Sequence, residues 1–195
     1  MGLILAATLA PISAGHAQLT FGGFAGVNSS TLDVTNLSTE SFSSRTGGMV
    51  GGYVGTHLGR LFTVRLEGFW TRKGTDFEDS GTTGSIKIDY IEVPLILRVN
   101  IPLVVVKPAL YAGPAISFKT NCTAEDSSTS SMSCEDAGVM FKSTDFSGII
   151  GAGVGVGPFT LDLQYDFSFS DILDNPNATQ EVKNETWTAR VAFGI

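Results

Sequence analysis

The stretch Phe159-Thr-Leu-Asp-Leu-Gln-Tyr-Asp-Phe-Ser-Phe169 alternates without a break. Phe159, Leu161, Leu163, Tyr165, Phe167 and Phe169 share one parity, and Thr160, Asp162, Gln164, Asp166 and Ser168 share the other. Successive side chains of a β-strand point to opposite faces, so this run reads as a strand with one apolar and one polar side. Its steps of roughly 3.4 Å, at a tilt of about 40°, span on the order of 26 Å, the height of the apolar band of an outer-membrane barrel.

The same pattern recurs along the chain. Phe62, Val64, Leu66 and Trp70 oppose Thr63, Arg65, Glu67 and Thr71. Ile91, Val93, Leu95, Leu97 and Val99 oppose Glu92, Pro94, Ile96 and Arg98, while Ile86 and Ile88 fall on the other parity, which suggests a bulge or a strand extending beyond the membrane. Over 104–119, Val106, Leu110, Ala112, Ile116 and Phe118 are expected outward, with Lys107 and Tyr111 inward. The last run sets Trp187, Ala189, Val191, Phe193 and Ile195 against Thr188, Arg190 and Ala192. Three Gly-rich runs, the first at Leu19–Asn28, bring the number of strands to eight, with a weaker phase.

Connections between these runs are long and short in turn. Ser29–Arg45, Gly74–Ser85, Lys119–Thr144 and Ser170–Glu185 are long; His57–Leu61, Asn100–Leu103 and Gly157-Pro158 are short. Short turns on one side and long loops on the other are the sequence signature of an outer-membrane barrel. On the apolar parity, Phe62, Phe159 and Phe193 lie near the short-turn ends, and Trp70, Phe118, Phe146, Phe169 and Trp187 near the long-loop ends. Two aromatic levels are expected where a protein meets both membrane interfaces. The expected fold is therefore all-β: an eight-stranded antiparallel up-and-down transmembrane β-barrel, apolar outward.

With that assignment Arg65, Glu67, Glu92, Arg98, Lys107, Asp162, Asp166 and Arg190 face the interior. An eight-stranded barrel is just wide enough for side chains to fill it, so these residues are expected to form a paired charge network and leave no porin-sized channel. Pro94 and Pro114 require a bulge or a gap in the ladder. Cys122 and Cys134 share one Ser/Thr-rich loop and are expected to form a disulfide, because two thiols without a nearby His do not fill a tetrahedral metal shell.

Residues 1–17 read as a secretory signal: Leu3–Ala10 is an apolar core, and Gly15-His16-Ala17 has small residues where a peptidase cuts, although a basic start is missing. Residues 18–195 then form the barrel domain. The net charge of −7 argues against nucleic acid, which needs a basic face. Acids concentrate in the long connections, at Asp76, Glu78, Asp79, Glu125, Asp126, Glu135, Asp136, Asp174 and Glu181.

Arg65-Leu-Glu-Gly-Phe-Trp-Thr-Arg-Lys-Gly74, followed by Tyr90-Ile-Glu-Val-Pro-Leu-Ile-Leu-Arg98, resembles the PorT-type outer-membrane β-barrel proteins. Pro108-Ala-Leu-Tyr-Ala-Gly-Pro114 and the Gly-rich 148–157 continue the match. Trp70 stands where Tyr is commoner, and Ile195 where such barrels often end in an aromatic. The resemblance implies an outer-membrane location and a small barrel, but no reaction.

Outside residues 1–17 the chain has a single histidine, His57, near a short turn, and no Gly-x-Ser-x-Gly elbow. Gly151–Gly157 lacks the Lys-Ser/Thr of a phosphate loop. The expectation is a non-enzymatic, monomeric barrel with no cofactor or metal, having acidic external loops for envelope structure, adhesion or recognition. Its partners would be outer-membrane lipids, the barrel assembly machinery and an unidentified external ligand, with no nucleic acid. The alternatives are an outer-membrane enzyme using loop carboxylates such as Asp76 and Asp79, and a secreted soluble ligand-binding barrel.

Overall fold

The computed structural model describes residues 18–34, 42–79, 82–103, 105–126, 129–134, 136, 142–169 and 182–195. Its strands are β1 (Leu19–Val34), β2 (Phe42–Leu58), β3 (Phe62–Asp79), β4 (Thr82–Asn100), β5 (Lys107–Asp126), β6 (Thr129–Ser133), β7 (Thr144–Val156), β8 (Phe159–Ser168) and β9 (Val182–Gly194). Each pairs antiparallel with its neighbours in the order β4-β3-β2-β1-β9-β8-β7-β5, and the β4–β5 pairing closes the ring. Eight strands thus form a closed barrel, and β6 is a short strand hung on the outer part of β5. Closure leaves no unpaired sheet edge in the hydrocarbon, where a bare backbone amide would have no partner.

The apolar parity faces out. Leu66, Leu95, Leu163 and Val191 are 49%, 50%, 53% and 54% exposed, while Asp162, Gln164, Thr188 and Arg190 on the same strands are buried. All eight of the expected girdle residues, Phe62, Trp70, Phe118, Phe146, Phe159, Phe169, Trp187 and Phe193, are exposed. Phe159 and Phe193 pack at a centroid distance of 5.4 Å across β8 and β9 at the short-turn end. Gly59 (φ 73°) and Gly157 (φ 59°) make two of the tight turns in the left-handed region that glycine adopts without a Cβ clash.

Proline and glycine interrupt the wall where the sequence suggests. Between Leu66↔Leu95 and Phe69↔Glu92 the β3–β4 pairing lapses at Val93 and Pro94, then resumes in the same register. The β4–β5 pairing lapses likewise between Pro94↔Ala115 and Leu97↔Ala112, opposite Pro114. A proline has no N–H for the ladder, so the gap is where the missing donor falls. Beyond it a register shift between Asp89 and Tyr90 leaves Thr120 of β5 opposite no residue of β4. β4 itself keeps one register with β3 there, so Ile88 is buried on the parity of Tyr90 and Glu92 while Ile91 faces out.

All four long connections contain more strand than expected, the last because β9 already starts at Val182. β1 continues to Val34, β3 and β4 run to Asp79 and from Thr82 with two residues between them, and β5 reaches Asp126. These extensions lie beyond the outer aromatic level, so they bury no apolar face against lipid, and outside Ile86 and Ile88 they carry little hydropathy alternation to betray them. Hydrogen bonding alone makes them strands. At the other end β5 starts at Lys107, so 105 and 106, expected as strand, belong to the link, and Val104 lies outside the described residues. The signal segment 1–17 and the loop acids Glu135, Asp174 and Glu181 lie outside the described residues.

Candidate functional site: the charged interior and the two ends of the barrel

The interior is layered along the barrel axis. In the central layer Arg190 of β9 donates through Nη1 to Glu67 at 2.6 Å and through Nη2 to its other oxygen at 3.2 Å. Arg190 Nε lies 3.4 Å from Asp162, and Arg98 Nη2 donates to Asp162 Oδ1 at 2.8 Å. All four residues are buried. Two guanidinium groups and two carboxylates neutralise one another, the condition under which charges persist away from water.

Aromatic rings supply the rest of the packing. The Arg190 guanidinium sits 4.6 Å from the Phe24 ring centroid, Arg98 sits 5.0 Å from Tyr111, and Arg65 sits 4.1 Å from Tyr53. Phe24, Met49, Phe69 and Ala192 form one interior apolar cluster; Ile96, Tyr111, Ala115 and Ile149 form another. Facing glycines make room for these groups. A Cβ at Gly151 would stand 2.3 Å from the Tyr111 ring, and one at Gly153 would stand 1.8 Å from Asp162 Oδ1.

Toward the long-loop end Lys73 lies between two carboxylates, 2.5 Å from Glu92 and 2.6 Å from Asp166. Asp145 is buried nearby and accepts a hydrogen bond from the Ser168 hydroxyl at 2.6 Å. One ammonium is therefore shared by two carboxylates. Lys73 shares the parity of Arg65 and Glu67 and was legible on that ground, but it falls just before the stretch that reads as loop.

Outside this layer the extended strands are tied together. Arg72 grips Asp89 with Nε at 2.7 Å and Nη2 at 3.0 Å. Lys87 pairs with Glu125, and Arg45 with Asp76. The hydrogen bond from Lys87 holds the Glu125 carboxyl below its usual range. Cys122 and Cys134 form a disulfide that fastens the turn after β6 to β5, with Cα atoms 5.5 Å apart. Among the described residues no group of His, Cys, Asp and Glu is placed to hold a metal ion.

The short-turn end differs in sign. Arg65 is part-buried on Tyr53 and makes no ion pair among the described residues. Lys107 corrects the sequence reading: it is exposed at the rim rather than paired in the interior. As the first residue of β5, directly before Pro108, it lies where the ladder ends and its side chain opens into the mouth. Of the eight residues expected in the network, Glu67, Arg98, Asp162 and Arg190 meet in the central layer, and Glu92 and Asp166 meet at Lys73. Arg65 and Lys107 join neither group.

The outer membrane protein beta-barrel domain family matches this chain over residues 13–174. The chain belongs to that family. It is a bacterial outer-membrane protein, and by the rule of that class its short turns face the periplasm and its long connections the exterior. Neisserial surface protein A resembles it in fold, with 17% identity, a TM-score of 0.54, and coverage of 89% of this chain and 96% of that one. The attachment invasion locus protein Ail of Yersinia pestis is 19% identical over 91% of this chain and 99% of its own, with a TM-score of 0.48. OprG from Pseudomonas aeruginosa is 13% identical over 92% and 96%, also at 0.48. No curated protein is similar enough in sequence to match.

Proposed function

We propose that this barrel is a non-enzymatic, monomeric anchor that presents a rigid extracellular β-extension for recognition or adhesion, and that it belongs to the PorT-type branch of small barrels. The observation that carries this reading is the extension itself. From Trp70 to Asp79 and from Thr82 to Ile91, β3 and β4 run on as a paired ribbon beyond the outer aromatic level. At about 3.4 Å per residue and a tilt of about 40°, it rises on the order of 20 Å above that level. Arg45–Asp76 ties it to β2 and Lys87–Glu125 to β5, Arg72–Asp89 joins its own two strands, and the Cys122–Cys134 bond fastens β5 to the turn after β6. Preorganised surface loses little entropy on binding, which is the advantage of a ribbon over a loose loop. The PorT-type assignment rests on the Tyr90–Arg98 and Arg65–Gly74 segments.

The filled interior supports a role at the surface rather than conduction. Arg190, Glu92 and Asp162 are fully buried, and reconstituted protein is expected to give no steady porin-sized conductance in a planar bilayer.

The test replaces residues 76–85 by a two-residue Asn-Gly turn joining Thr75 to Ile86, which face each other in the β3–β4 register. Photo-crosslinking from intact cells is expected to capture an external partner with the full chain and to lose it with the shortened one. Both chains should keep heat-modifiable migration, the mark of a folded barrel. Unchanged capture, or turnover of lipid or peptide substrates by the purified protein, counts against the reading.

A further inference from the structure

The periplasmic mouth holds a cavity of about 520 Å³ that the surface role leaves unused. Arg60, Arg65, Arg98 and Lys107 line it together with His57 and Tyr53, and among the described residues no Asp or Glu lines it; Arg98 reaches inward to Asp162. This concentration of positive charge occurs in a chain of net charge −7. Arg60 and Lys107 are exposed at the rim and, like Arg65, form no ion pair among the described residues.

Like charges gathered around a low-dielectric cup repel one another and cost stability unless an anion enters. Two further observations point inward. Arg98 is only 2% exposed, and after its bond to Asp162 its Nη1 remains without an acceptor. Arg65 Nε is buried and also lacks one. The Phe21 amide donates to the Ile195 backbone oxygen at the rim at 3.1 Å.

We propose that this mouth binds a phosphate-bearing anion, with Arg60 and Lys107 attracting it at the rim and Arg65 and Arg98 forming the inner wall. Guanidinium forks match phosphate oxygens in pairs. With Arg98 already balanced by Asp162, Arg60, Arg65 and Lys107 are the cations that an entering anion compensates. The mouth lies at the level of Phe62, Phe159 and Phe193, where phospholipid headgroups of the inner leaflet stand. The phosphate therefore comes either from a soluble periplasmic molecule or from a headgroup.

Two arms separate these sources. In neutral dodecyl maltoside at low salt, calorimetric titration with pyrophosphate tests the soluble source. Native mass spectrometry of protein released from bilayers containing phosphatidylglycerol and phosphatidylcholine tests the headgroup source. The expected result is one saturable site for pyrophosphate, or selective retention of one phosphatidylglycerol. In the Arg60→Ala/Lys107→Ala double variant the binding should weaken at least tenfold, and the rim position of both residues keeps the barrel folded by heat-modifiable migration. Lys107→Glu should weaken it further. Absence of binding in both arms, or equal binding by the double variant, overturns the proposal.

Discussion

At the outer end of the barrel Lys73 is clasped between Glu92 and Asp166, and the strands beyond it are fastened by Arg72–Asp89, Lys87–Glu125, Arg45–Asp76 and the Cys122–Cys134 bond. At the inner end Arg60, Arg65 and Lys107 share a cavity, and none of them is ion-paired among the described residues. Strand geometry is the same in both places; the charge arrangement is not. The outer end places one cation between two carboxylates and encloses them, which makes a rigid plug. The inner end places cations together around open space, which makes a receptor for negative charge. The difference teaches that a filled eight-stranded barrel need not be inert at both ends.

The largest expected effect comes from breaking the enclosed end. Lys73→Met leaves Glu92 and Asp166 buried with no cation between them, and should destabilise the barrel by about 3–5 kcal/mol in urea unfolding from lipid vesicles. Arg65→Met, the matching change at the open end, removes one of several like charges and a stacking contact with Tyr53 and should shift stability by no more than about 1 kcal/mol. Equal losses from the two substitutions would erase the distinction between the ends.

A second substitution tests the wall that the two ends share. Leu163 is half exposed to lipid between Ala152 and Ala189, so Leu163→Arg should cost about 2–4 kcal/mol in the same assay. A neutral outcome would mean that the apolar parity does not face lipid.

Reduction of the disulfide sharpens the account of the outer extension. Closing a loop with a sequence separation of 12 stabilises by up to about 3 kcal/mol in the chain-entropy model. Because β6 stands off the barrel, hydrogen exchange should quicken in β6 and the outer part of β5 while the thermal midpoint of the barrel stays unchanged. A large drop in that midpoint would show that the extension and the barrel unfold as one unit.

The smallest effect is a pH dependence at the same place. The folded Glu125 carboxyl titrates below its unfolded value, so its pairing with Lys87 contributes above the unfolded value and is lost as pH falls through the folded one. Acidification through the carboxylate range should therefore loosen the β4–β5 ribbon, seen as a shift in the Lys87 ammonium resonance. Glu125→Gln should abolish that shift, and persistence of the shift would assign it to another group.

Much of this was legible before any coordinates. Phe159–Phe169 fixes a strand, its length and its two faces, because a period of two leaves no other assignment of sides. Pro94 predicts a gap in the ladder, and the two levels of aromatics predict the membrane. Less legible were Phe24 and Phe69, which are apolar yet face inward against Arg190 and its layer. Parity alone places Phe69 beside Glu67 and Thr71, but hydropathy argues the other way, and only the packed interior decides between them. Of the outer ribbons only the stretch at Ile86 and Ile88 left a trace, its parity suggesting a bulge or a strand extending beyond the membrane; elsewhere strands in water need no apolar side.

By itself, then, the sequence determined that this chain closes into a small barrel in the outer membrane, which residues meet lipid and which turns are short. Those are local properties, set by periodicity, turn chemistry and the presence or absence of an N–H. Tertiary structure alone decided which charges meet. Glu67 and Arg190 are separated by 123 residues, Lys73 and Asp166 by 93. Parity brings all four to the interior, but the level each reaches depends on strand tilt and stagger around the closed ring. That stagger seats Lys73 between two acids and leaves Lys107 at the rim with none.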